Sequence, residues 1–84
     1  MKVKFVGIDP ETNGNHCPTV WTDTDSQDIL IQGYIADDAH KAACEATSPA
    51  TATVPDNEMI IRIPARMAPA LREACDVIER SAVR

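Results

Sequence analysis

Two imidazoles and two thiols are the residues best suited to chemistry: His16, Cys17, His40 and Cys44 are the types that bind zinc in a tetrahedral site, and together they would staple a loop to a helix. His40 and Cys44 stand four residues apart, on one face of a helix. Adjacent His16 and Cys17 point opposite ways in an extended chain, and the paired spacing of a zinc finger is absent. The balance falls on a structural loop with an ordinary buried cysteine and no cofactor. A Cys–His nucleophilic pair would need a positioned base, an oxyanion site and a pocket, and no stretch displays all three, so the expectation is a protein that is not an enzyme. Asp23, Asp25 and Asp28 bunch as calcium ligands do, but without the glycine and terminal glutamate of an EF-hand loop they read as turn residues.

Charge narrows the partners. The 84 residues carry a net charge of −5, and an acidic surface repels the phosphates that supply nonspecific nucleic-acid affinity. Before Ile61 there are three basic and ten acidic residues; from Ile61 onward five arginines face three acids. Arg62, Arg66, Arg72 and Arg80 therefore define an alternative, a small DNA-contacting regulator using an arginine-rich C-terminal helix, against the simpler reading of a solvated helix face. Three cysteines, an odd number, no leader-like apolar region behind Met1-Lys2-Val3-Lys4 and no stretch long enough to cross a membrane lead us to expect a cytoplasmic chain with reduced thiols.

The elements that must position these groups are organised around Glu58–Glu79. Met59, Ile60, Ile61 and Ile63 form a short strand that Pro64 stops, and Met67, Leu71, Ala74, Cys75 and Ile78 then recur at helical spacing from about Arg66 to Ser81, with Cys75 as a small core residue. Lys2 to Ile8 reads as a strand with Val3, Phe5 and Gly7 on one face, ending at Asp9-Pro10; Asn13-Gly14-Asn15 marks a tight loop. Pro18–Asp23 and Ile29–Ile35 form the clearest hairpin, with Val20 and Thr22 opposite Trp21. Asp37-Asp38 caps a short alanine-rich helix, and Ser48–Asp56 is a linker. The expected fold is a single α+β domain over residues 1–84: a small antiparallel sheet of three or four strands packed by one C-terminal amphipathic helix, plus a short connecting helix. Trp21 and Tyr34 either form an aromatic binding patch on the sheet face away from the helix or fill a core that has one Trp, one Tyr and one Phe.

Three tracts together, Asn13-Gly14-Asn15-His16-Cys17-Pro18-Thr19-Val20-Trp21, Ile29-Leu30-Ile31-Gln32-Gly33-Tyr34 and Ile61-Arg62-Ile63-Pro64-Ala65-Arg66-Met67, resemble a group of small uncharacterised actinobacterial proteins encoded beside Xre-type helix-turn-helix regulators. More distantly the chain resembles the BldB-like domain family, through Gly14-Asn15, Cys17 and Val20, the hairpin after them, and a strand running through proline into a helix. It departs from that family where His16 separates Asn15 from Cys17, where Gln32-Gly33-Tyr34 replaces a charged tract, and where Met67 stands for an aromatic residue. The resemblance implies a non-enzymatic, antitoxin-like accessory of transcriptional regulation that works by protein–protein interaction. A helix-turn-helix regulator is the expected partner, a homodimer is a further expectation, and Trp21, Ile31, Tyr34, Arg62 and Arg66 are the candidate contact residues. Its rivals are the DNA-contacting regulator and a small zinc-binding protein.

Overall fold

The computed structural model of the chain describes residues 1–11, 17–50 and 53–82, so the expected turn at Asn13-Gly14-Asn15 lies outside the described residues. The chain is α+β. Strands β1 (Val3–Ile8), β2 (Thr19–Asp23) and β3 (Asp28–Gln32) form an antiparallel sheet in the order β1-β2-β3. β4 (Tyr34–Ile35) pairs with β5 (Ile61–Arg62) in a second, two-stranded sheet. Helix α1 (Asp38–Thr47) lies between them in sequence, and a single 3-10 turn (Ala65–Met67) leads into α2 (Ala68–Ala82). Among the described residues, no helix is long and apolar enough to cross a membrane.

The β2–β3 hairpin forms where β-branched and aromatic residues flank a polar turn. Asp23 sets that turn, its carboxylate accepting the N–H groups of Lys2, Asp25 and Ser26. Burial alone would raise the Asp23 carboxyl, but these three donors outweigh it and hold it below its ordinary value. Gln27 takes a positive φ of 65°, and its side-chain amide donates to the Thr24 carbonyl and to Ser81 Oγ, which ties the turn to the end of α2. The expected strand Ile29–Ile35 is instead split at Gly33. A Cβ there would sit 2.8 Å from Ile63 Cγ2 and 3.0 Å from the Arg62 carbonyl oxygen, so the chain can change partners from β2 to β5 only where no side chain intervenes.

β5 is shorter than the strand expected over Met59–Ile63, covering only Ile61–Arg62 and ending before Ile63 and Pro64; the Pro64 carbonyl accepts the Met67 N–H to open the turn. Pro69 then falls in the first turn of α2, where its missing N–H leaves no helical bond broken. One face of α2 packs on β2: Val20, Met67 and Ala74 are buried, with Val6, Ile29, Ala70 and Leu71 against them. Cys75 is exposed, correcting its assignment to the core. The buried stripe centres on Ala74, and the next residue is rotated about 100° away from it.

The face expected for β1 is also corrected. Its register against β2 slips between Phe5 and Gly7, a β-bulge that turns Val6 toward the core and leaves Val3 and Phe5 on the opposite, exposed side. Gly7 then lies against α2, where a Cβ would come within 2.8 Å of Ala70 Cβ.

The two ends of the chain are pinned together by Asp9 and Arg66. The Asp9 side chain is fully buried, its backbone N–H donates to the Pro18 carbonyl, and its carboxylate accepts Arg66 Nε at 2.6 Å and Nη2 at 2.7 Å. The guanidinium hydrogen bond holds the Asp9 carboxyl below its usual range against the opposing effect of burial, and raises Arg66 in turn.

We expect Gly7→Ala to cost about 1–3 kcal/mol in urea unfolding, because Ala70 belongs to the helix and cannot swing aside. Adding Ala70→Gly should make the double variant less destabilised than the sum of the two single changes. The Asp9 pair predicts a pH dependence. Its folded-state pKa is depressed, so its contribution is complete above the unfolded value near about 4 and fades as the pH falls through the folded value. Asp9→Asn should therefore lower Tm at pH 7, with a deficit that narrows as melting is repeated at progressively lower pH; a deficit independent of pH would assign the loss to packing.

Candidate protein-binding surfaces

Among the described residues, the groups with chemical potential do not converge. Cys17 is buried just before β2, with its carbonyl accepting the Thr19 hydroxyl, and His16 lies outside the described residues. His40 and Cys44 do share one side of exposed α1. The Asp37 carboxylate caps that helix by accepting the His40 N–H, and it also meets His40 Nδ1 at 2.8 Å. Those two contacts hold the Asp37 carboxyl below its usual value, the backbone bond contributing most. Among the described residues, no group of three or more His, Cys, Asp or Glu is placed to hold a metal ion. Asp25 meets the N-terminal amine at 2.9 Å, and Asp28 stands opposite Asp23 across the hairpin.

Two of the arginines are engaged within the chain. Arg66 is committed to Asp9, Arg62 lies over the Tyr34 ring with its guanidinium carbon 5.0 Å from the centroid, and Arg72 and Arg80 are exposed on α2. Tyr34 and Arg62 are cross-strand partners on one face of the β4–β5 pair, which explains their stacking.

Two apolar surfaces remain. The first is the sheet face turned away from α2. Residues opposite one another share a face, so the register puts Phe5, Trp21 and Leu30 in one row, and Ile8, Thr19 and Gln32 in a parallel row. Phe5 is 61% exposed; Val3, Ile8 and Leu30 are also exposed, and Trp21 is half-buried. Ile31 belongs to the other face, opposite Val20, at a point where α2 leaves it partly uncovered. Trp21 and Tyr34 belong to different sheets. Phe5, Ile8 and Leu30 were missed as surface partners of Trp21 because cross-strand register is not marked in the sequence, and for Ile8 the bulge also leaves no mark on the alternation of residue types.

The second surface surrounds α1, which buries none of its residues. Two neighbouring grooves of about 340 and 280 Å³ run between α1 and the segment leading to β5, sharing Val54, Pro55, Glu58 and Ile60. Ile35 and Met59 stand beside them, 72% and 63% exposed, and Glu45, Asp56 and Glu58 make the rim acidic against one Lys41. Glu45 also accepts the Val54 N–H at 2.9 Å, which ties α1 to this segment.

Together these surfaces give the chain an unusually open shape. Its radius of gyration is 14.6 Å, where a compact chain of this length has about 12 Å. Its accessible surface is 6254 Å², where a monomer of 9.1 kDa exposes about 4,900 Å². Comparison of the chain with family models, with curated proteins and with solved structures finds no match.

Proposed function

We propose that the chain is a non-enzymatic accessory protein of transcriptional regulation that acts by binding another polypeptide, a helix-turn-helix regulator. The observation that carries the interaction reading is the roughly 1,300 Å² of surface in excess of what a self-sufficient monomer of this mass shows, comparable to one side of an ordinary protein interface. The regulator as partner class rests on the resemblance of the three tracts. Charge favours the α1 lobe as its dock: Ile35 and Met59 offer apolar anchors, and Glu45, Asp56 and Glu58 surround them with the sign that attracts a basic, DNA-facing surface. The stacked Tyr34 and Arg62 lie on the paired strand ends next to them, and both residue types are enriched where binding energy concentrates.

The DNA-contacting alternative draws less support. Of its four arginines one is engaged by a buried carboxylate and one is stacked on a tyrosine, while the chain as a whole carries a net charge of −5.

Co-expression with an Xre-type helix-turn-helix regulator, the partner class that the resemblance implies, followed by light scattering on the purified sample, should give a complex. Ile35→Glu and Met59→Glu should weaken that complex by about ten- to a hundredfold without lowering Tm, since both side chains are exposed. Unchanged affinity in both variants would remove the proposed dock. For the isolated chain, fluorescence anisotropy on a labelled promoter duplex at low salt should show no binding; a salt-sensitive affinity would hand the case to the DNA-contacting alternative.

A further inference from the structure

We propose that the sheet face away from α2 is covered by the same face of a second copy of this chain, the rows Phe5–Trp21–Leu30 of the two copies packing across a two-fold axis. This stands apart from the regulator reading, since it uses a different surface and holds whether or not the regulator binds.

A sheet with large apolar residues on both faces needs a layer on each. α2 supplies one: it covers Val20 and Thr22, which are fully buried, and lies against Gly7. The opposite face has the same need and carries most of the chain's aromatic side chains, Phe5 and Trp21, with Val3, Ile8 and Leu30 around them. Phe5, Val3, Ile8 and Leu30 are exposed and Trp21 is half-buried, while Thr19 and Asp23, the other β2 residues on this side, are buried, so the open surface is made mainly by the flanking strands.

Charge and area then select a second copy as the occupant. The chain has a net charge of −5, so two copies can meet only through a face that keeps their carboxylates apart. The rows Phe5–Trp21–Leu30 and Ile8–Thr19–Gln32 contain no ionisable side chain. Only the third row, Val3–Asp23–Asp28, holds acids, and there the Asp23 carboxylate is turned to the backbone of its own hairpin turn. A basic partner would find little on this face to pair with, whereas an uncharged face complements itself. The symmetry follows from the same rows. A two-fold axis lying in the interface and crossing the strands reverses their direction, which sets Asp28 of each copy toward the Ile8–Gln32 end of the other. An axis along the strands would instead stack the acidic ends. The first arrangement lays Phe5, Trp21 and Leu30 on their own counterparts, two sheets about 10 Å apart. The surplus surface of roughly 1,300 Å² belongs to the whole chain, and the roughly 800 Å² that a standard interface takes from each partner fits within it. Because three short strands make a footprint at the small end of that range, a dimer of micromolar affinity is expected.

The test is sedimentation of the full chain over a concentration series up to about 0.5 mM, well above the dissociation constant expected. A monomer–dimer equilibrium should appear, with a Trp21 emission shift following the dimer fraction. Phe5→Glu should raise the dissociation constant at least about tenfold while leaving Tm of the monomer unchanged, because Phe5 is exposed and outside the core. Leu30→Glu provides an independent second reading. Mixing Phe5→Glu with Phe5→Lys should restore a dimer made of one of each, since the axis puts these positions together. A chain monomeric at the highest concentration would overturn the proposal, as would a dimer indifferent to both glutamate variants or a mixture that does not re-associate. A monomer that instead takes up the regulator through Phe5 and Leu30 would overturn it too, and would leave a complex of chain and regulator standing.

Discussion

Close approach of α2 to the sheet is the constraint on which the rest depends. With Gly7 under Ala70 and the side chain of Ala74 at the centre of the buried helix face, the backbone of the helix can come down far enough for Val20 and Met67 to close the core. Larger residues at these contacts would lift the helix and open voids that a chain with one Phe, one Tyr and one Trp has little material to fill. The same contact accounts for the bulge in β1. Only by turning both Val6 and Gly7 inward does the strand present a packing residue and a gap side by side, and the cost is that Phe5 faces outward.

That economy has a structural consequence at the second lobe. β4 and β5 are two residues each, paired only with one another, and a two-stranded ribbon of that size is marginal in water. Position is given to it from outside: Gly33 lets the chain pass under Ile63, and Arg66, held by buried Asp9, fixes the path that leaves β5 for α2. α1 receives no comparable anchorage, since its capping by Asp37 is local and its tie to the incoming segment runs through Glu45. The lobe is therefore tethered at its base and open at its sides, and a bound polypeptide would supply there the packing that the core lobe draws from α2.

Features set by neighbouring residues were legible in the sequence. Pro64 separated the strand from the helical turn, the polar run after Asp23 made the hairpin, Asp37 capped α1, and the α+β architecture followed from those elements. What escaped depended on partners distant in the chain. Gly33 breaks the β3 strand because of Ile63 and Arg62, and Cys75 faces solvent because the sheet selects Ala74 as the centre of the helix stripe. Asp9 and Arg66 are 57 positions apart, and each reads separately as a turn residue and a solvated charge. The surface residues divide along the same line. Trp21 and Tyr34 stood out by type alone, while their placing in two sheets follows from the change of strand partner at Gly33; Phe5 and Leu30 meet Trp21 through cross-strand register, and Ile8 joins their side through the bulge.

Distribution of charge, more than its total, bears on the kind of partner. A protein that neutralises phosphates gathers its cations on one surface so that counterion release adds up. Here Arg66 spends two of its donors on a carboxylate of its own chain, Arg62 is spread over an aromatic ring, and Arg72 and Arg80 sit on an exposed helix that carries Glu73, Asp76 and Glu79 among them. The acids are arranged otherwise. Glu45, Asp56 and Glu58 gather at the grooves beside exposed Ile35 and Met59, while the outer sheet face has two rows without charge. An apolar surface rimmed by one sign of charge discriminates between polypeptides, whereas one without charge has no such preference, so the regulator and the second copy proposed above would meet different faces and need not compete for one.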